Sequence, residues 1–190
     1  MQKIKSLFQR EWKGERMVYN EVVPGSEWVQ AGEGIATRKW DGTSCLVKQG
    51  RLFKRYDAKG GKTPPVGFIP AQEPDELTGH WPGWLPVFSD APGDKWHIEA
   101  LGDASPMDCG LADGTYELVG PKVCSNREGL DRHFYIKHGE DIIPNCPTDF
   151  EGLKEWMQDK VIEGVVWHHP DGRMVKSKRR DFWKTLTPTI

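Results

Sequence analysis

An α+β fold of antiparallel sheets with packed helices is what this sequence predicts, on three observations. Short apolar or alternating runs bounded by Gly, Pro, Asn and Asp recur along the chain. Two pairs of runs are joined by tight-turn signals, and one stretch carries helical capping and periodicity. At 190 residues the chain is long enough for a full core and short for two ordinary domains, so one domain spanning 1–190 is expected.

In chain order the strand runs are 34–39, 44–48, 51–56, 96–100, 114–119, 134–137, 161–167 and 173–177. Gln49-Gly50 joins the second run to the third, and Pro170-Asp171-Gly172 joins the last two, which makes both pairs antiparallel hairpins. The helix starts at Thr148, followed three residues later by Glu151 as in a capping box, and Phe150, Leu153, Trp156 and Met157 form its apolar stripe. Residues 60–93, rich in Pro and Gly with Trp81 and Trp84, read as a long irregular connection.

A composition 37% apolar and 11% aromatic supplies enough large side chains to offset ordering entropy, which excludes wholesale disorder. No apolar run approaches the roughly 20 residues of a membrane span. Met1 to Trp12 alternates Lys, Gln and Arg with Leu and Phe, unlike a signal peptide, so a cytoplasmic protein without a membrane partner is expected. Cys45, Cys109, Cys124 and Cys146 show no metal-ligand spacing and read as reduced thiols.

The net charge of -2 hides an asymmetry. Residues 1–69 carry 13 basic and 7 acidic side chains and residues 160–190 carry 7 and 3, whereas residues 70–120 carry 1 and 10. Folding the two basic ends together would create a face that attracts phosphates.

The sharpest local signal is Arg38-Lys39-Trp40-Asp41-Gly42-Thr43-Ser44, where a lysine leaves a strand just before an Asp-Gly turn. With a period of two, Ile35, Thr37 and Lys39 share a face, placing the amine at the mouth of a core. Surrounding cations and burial favour the neutral, nucleophilic form of such a lysine. Companions follow in order. Glu117 shares a strand face with Val119, and Glu163 with Val161, Val165 and Trp167. A carboxylate among apolar side chains demands a cation or metal. Lys176 and Lys178 share a face and repel each other unless an anion lies between them. One lysine, two sheet carboxylates and two sheet lysines are what nucleotidyl transfer requires: nucleophile, ribose acceptor, metal ligand and phosphate clamp.

The order of these motifs resembles the covalent nucleotidyltransferase superfamily of ATP-dependent DNA ligases, RNA ligases and mRNA capping enzymes. Lys39-Trp40-Asp41-Gly42 is similar to its motif I, residues 51–56 to motif Ia, Tyr116-Glu117-Leu118-Val119-Gly120 to motif III, Glu163-Gly164-Val165-Val166 to motif IV and Lys176-Ser177-Lys178 to motif V. Thr43-Ser44 after motif I makes the chain most similar to the small RNA ligases of the 5′-3′ group. Thr37-Arg38 departs from relatives that carry an acidic residue there to read the adenine amine.

The resemblance implies a ligase-type adenylation domain with motifs from about residue 34 to 178. The chain ends soon after motif V, so no OB domain is expected. It further implies an ATP-dependent RNA ligase that joins 5′-phosphate and 3′-hydroxyl RNA ends. Lys39 would carry AMP, Arg55 and Glu117 would contact the ribose or phosphate region, and Glu163, with Glu117, would hold Mg²⁺ or Mn²⁺. Lys176 and Lys178 would bind the α-phosphate, and Phe134, with Tyr135 as the alternative, would stack on adenine. Basic residues 38–62 and Arg179, Arg180 and Lys184 would track the nucleic-acid backbone. RNA ends are the expected partner, DNA the alternative substrate, and a monomer the expected state. A minimal DNA ligase and an inactive nucleic-acid-binding relative are the alternative functions.

Overall fold

Ile4–Trp183 are described by a computed structural model, and they form two compact units. The reason is two separate hydrophobic clusters, each built on its own sheet. One unit is Asp41–His138. The other joins Ile4–Trp40 to the segment beginning at Gly139. The strands in chain order are β1 Lys5–Ser6, β2 Phe8–Arg10, β3 Val18–Val22, β4 Ile35–Lys39, β5 Thr43–Lys48, β6 Arg51–Ala58, β7 Ile69–Pro70, β8 Trp81–Pro86, β9 Gly114–Val119, β10 Phe134–Lys137, β11 Gly164–His168 and β12 Met174–Lys178. Helix α1 is Lys95–Leu101 and α2 is Phe150–Gln158.

The unit that begins at Ile4 carries a four-stranded sheet in the order β1-β12-β11-β4 and a separate hairpin, β2-β3. The pairing is antiparallel except where β1 runs parallel to β12. Ala36, Val165, Trp167 and Val175 bury one face of the sheet in a cluster with Leu7, Phe8, Leu153 and Met157. Helix α2 supplies Phe150, Leu153 and Met157 to that core, as the apolar stripe predicts. Its cap is shifted by one residue from the predicted Thr148: Asp149 accepts a hydrogen bond from the Gly152 amide at 2.8 Å.

The other unit is a six-stranded antiparallel sheet in the order β10-β9-β5-β6-β8-β7. Its core joins Cys45, Val47, Leu52, Tyr116 and Leu118, with Trp96, Ile98 and Leu101 packed against them. The Gln49-Gly50 turn behaves as read: both residues adopt positive φ, 53° and 72°, as a two-residue hairpin of this type requires. Two readings are corrected. Residues 96–100, expected as a strand, lie in α1, because Lys, Glu, Ala and Leu are good helix formers and the turn Pro92–Asp94 leads directly into it. The stretch expected to be irregular contains β7 and β8. Pro82, Gly83 and Pro86 hide β8 from propensity, while Trp84 is buried in the sheet.

Candidate active site

Strand pairing concentrates charge at one end of the four-stranded sheet. Gly164 on β11 lies opposite Lys39 on β4 and Lys178 on β12, so two lysines flank a residue with no side chain. A Cβ at Gly164 would stand 2.1 Å from the Ser177 carbonyl oxygen, so only glycine allows this close approach. The Glu163 carboxylate occupies the space: Lys39 Nζ donates to Oε2, and Lys178 Nζ donates to Oε1 at 2.6 Å. The Glu163 side chain is 9% exposed. Burial alone would raise its pKa, but the Lys39 charge and the lysine hydrogen bonds outweigh it and hold the carboxyl below its usual range.

Lys176, two residues from Lys178 on the same face, forms no ion pair among the described residues. Burial, then Lys178 and Lys39, pull its pKa down to about 8. Val175 and Ser177 are buried on the opposite face, as the alternation predicts.

Two face assignments are corrected. Glu163 does not share a face with Val165 and Trp167: pairing begins at Gly164, so the period of two does not extend back to residue 163. Ile35 is 54% exposed, so the face shared by Ile35, Thr37 and Lys39 is not the core face; Ala36 points into the core instead. The neighbouring side chains fix the strand end that presents Lys39. Arg38 lies 3.8 Å over the Trp40 ring and donates to the Val161 carbonyl, and Trp40 Nε1 donates to Asp141 Oδ2 at 3.1 Å.

On the six-stranded sheet, the register places Ser44 opposite Glu117 and Ile136 opposite Glu117, so Ser44, Glu117, Phe134 and Ile136 share one face. Alternation along β5 and β6 adds Arg55 to it. Glu117 Oε2 accepts from Ser44 Oγ at 3.2 Å and pairs with His138 Nε2 at 2.8 Å, while His138 Nδ1 meets Thr115 Oγ1 at 3.0 Å. A Cβ at Gly42 would meet the Leu118 carbonyl at 2.2 Å and Glu117 Cγ at 2.7 Å, so the turn after Lys39 also needs glycine. Tyr135 faces the core side, where its hydroxyl donates to the His97 carbonyl at 3.0 Å. Of Phe134 and Tyr135, it is Phe134 that lies on the Glu117 face. Arg55 Nε donates to Asp57 Oδ1, and its guanidinium lies 5.3 Å from the Trp84 ring.

A family model described as RNA ligase 1 matches residues 99–186. RNA ligase 1 of Mus musculus is 30% identical over an alignment covering 76% of this chain and 65% of that protein. RNA ligase 1 of Pongo abelii is 30% identical over 76% and 66%, and that of Rattus norvegicus 29% over 76% and 66%. The chain is similar to these RNA ligases along about three quarters of its own length. It spans just under two thirds of the length of these relatives.

The stretch matched by the RNA ligase 1 model contains Glu117, Phe134, Glu163, Lys176 and Lys178; Lys39 and Arg55 lie before it. The expected residues form two groups: Lys39, Glu163, Lys176 and Lys178 in one unit, and Arg55, Glu117 and Phe134 in the other. Arg179 donates to the Met157 and Gln158 carbonyls, a structural use. Lys184 lies outside the described residues. His138, not among the expected site residues, follows β10 by one residue, which carries it beside Glu117.

No cluster of three or more metal-ligating side chains occurs among the described residues. A single carboxylate, Glu163, fits a divalent ion that arrives with phosphate oxygens, the usual arrangement for Mg²⁺. Among the described residues no helix is long and apolar enough to cross a membrane.

Proposed function

We propose that the chain is an ATP-dependent RNA ligase working through a lysyl-adenylate. The observation that carries this reading is the convergence of Lys39 and Lys178 on the two oxygens of one buried carboxylate, with Lys176 alongside. Such a cage keeps a nucleophile and two phosphate-binding cations poised around an anion that a nucleotide phosphate can replace.

Once a phosphate draws Lys178 and Lys176 to itself, Lys39 leaves Glu163, gives up an ammonium proton to solvent, and its neutral Nζ attacks the α-phosphorus. An N–P bond forms, the bond to the β-phosphate oxygen breaks, and pyrophosphate leaves. Lys176 and Lys178 stabilise the charge on the pentavalent phosphate. Glu163 would hold the divalent cation, which supplies further neutralisation of the phosphates. Glu117 and Arg55 are assigned to the ribose or phosphate region and Phe134 to the adenine. A 5′-phosphate oxygen of RNA next attacks the adenylate phosphorus, breaking the N–P bond and returning the amine to Lys39. Finally a 3′-hydroxyl attacks the activated 5′-phosphorus, forming the phosphodiester and releasing AMP.

The test is incubation with Mg²⁺ and ATP labelled at the α-phosphate, followed by denaturing electrophoresis. Label is expected on the polypeptide and is expected to vanish in Lys39→Ala; absent label, or label that survives this substitution, overturns the reading. Sealing of 5′-phosphorylated RNA is expected to outpace sealing of DNA of the same sequence, and the reverse order would make the protein a DNA ligase.

A further inference from the structure

Residues of the two basic segments line a cavity of about 520 Å³ in the unit built on the four-stranded sheet. Five cations line it: Arg10, Arg16, Lys176, Lys178 and Arg180, against the carboxylates Glu15 and Asp181. Their pairing is uneven. Arg10 is committed to structure, since its guanidinium pairs with buried Asp181 at 2.6 Å and donates to the Arg16 carbonyl at 2.7 Å, tying the β2-β3 hairpin to the turn after β12. Lys178 is engaged by Glu163. Arg16, Lys176 and Arg180 form no ion pair among the described residues. Three such cations around one cavity repel each other, and an anion placed there relieves the cost.

Two further features narrow the anion. Trp12, at the tip of the hairpin, lines the cavity and is 78% exposed, and Trp183 lines it too. Arg16 takes a left-handed backbone conformation, φ 57°, an uncommon and mildly strained choice for an arginine. A phosphate by itself has no use for an indole, whereas a nucleotide has a flat base that stacks on one. The volume falls within the range of small-molecule sites, about 300–1,000 Å³, and admits one nucleotide.

The geometry points to a subsite for the 5′-phosphorylated terminal nucleotide of an RNA strand, its phosphate held by Arg16, Lys176 and Arg180 and its base stacked on Trp12. This rests on the RNA ligase reading and deepens it. Lys176 belongs both to this cavity and to the lysine cage, so the strand end to be activated is delivered beside the residues that carry the adenylate. The N-terminal hairpin thereby acquires a task that none of the five motifs covers.

The experiment uses the full chain, without nucleotide, and a 3′-fluorescein-labelled single-stranded RNA bearing either a 5′-phosphate or a 5′-hydroxyl, read by anisotropy. The 5′-phosphorylated strand is expected to bind at least fivefold more tightly. Arg16→Gln combined with Arg180→Gln is expected to erase that preference, and Trp12→Ala to weaken both strands about tenfold. All three residues are exposed, so the variants should keep the parent melting temperature. Lys122→Ala, which removes an exposed cation of the six-stranded unit, should leave the preference intact. Equal binding of the two strands by the parent protein, or a preference that survives the double substitution, overturns the proposal. Inorganic pyrophosphate is the competing occupant: displacement of the RNA by pyrophosphate and not by an unlabelled 5′-phosphorylated strand would assign the cavity to the triphosphate tail and overturn it as well. A chain that labels at Lys39 but shows no 5′-phosphate preference loses the subsite alone. One that prefers the 5′-phosphate but never labels loses the lysyl-adenylate reading alone.

Discussion

Each unit holds one of the two glutamates expected at the site, and the two live in opposite surroundings. Glu163 is held between two ammonium groups, while Glu117 meets a hydroxyl and an imidazole. The same side chain is a counter-ion in one place and a hydrogen-bond acceptor in the other. Both neighbourhoods also need a glycine where the backbone closes in, Gly164 beside Glu163 and Gly42 against Glu117. What differs is the cost of removing the carboxylate, because an uncompensated buried charge is far more expensive than an unmade neutral hydrogen bond.

That contrast is broken or sharpened most strongly by truncating the two glutamates in parallel. Glu163→Ala leaves Lys39 and Lys178 facing each other without an anion and should cost about 3 kcal/mol of stability. Glu117→Ala should cost about 1 kcal/mol. Urea unfolding of both variants checks the ranking, and equal losses would mean that the lysine cage is more solvated than its burial indicates. The Glu163 contribution also has a direction in pH. Because its folded pKa lies below the free value, the stabilisation is present above the ordinary carboxylate range and is lost as pH falls through the lowered folded value. Glu163→Ala should therefore show a flatter decline of stability toward acid.

The next largest effect concerns the glycines. Gly164→Ala and Gly42→Ala each force a methyl onto a backbone carbonyl and should cost about 2 kcal/mol. Thermal melts read this directly, and a neutral result at either position would show that its strand can shift.

The smallest effect is on Lys176. Its folded pKa of about 8 lies below the 10.5 of a free lysine, so the charged form burdens the fold below about pH 8, and stability rises with pH between the two values. In the proposed mechanism function runs the other way, because the ammonium assigned to the phosphate is lost as pH rises through 8. The rate of adenylylation should therefore carry a descending limb near pH 8, a few-fold in height, which Lys176→Arg removes. A descending limb unchanged in that variant would assign it to another group.

Much of this was legible in the residue order. The alternation of β9, β10 and β12 and the Gln49-Gly50 turn were readable because they depend on neighbours one or two positions away. Lys176 and Lys178 fall on one face for the same reason. Residues 96–100 were misread because a five-residue alternation cannot be told from a short buried helix until the core it packs against is known. Strand β8 escaped because two prolines suppress the signal that its buried Trp84 restores in the sheet. The cavity cations Arg10 and Arg16 gave no local sign of function, since their meeting with Arg180 spans the whole chain.

Order and chemistry along the chain determined which residue types were present for the proposed nucleotidyl transfer: a lysine at a strand end, two carboxylates and a pair of lysines on one face. Tertiary structure alone decided which carboxylate neutralises which amine. The pairing of β4, β11 and β12 brings Lys39, Glu163 and Lys178 within hydrogen-bond reach across more than 120 residues of intervening chain. Such a contact depends on register and on the absence of a side chain at Gly164, and no local pattern encodes either one.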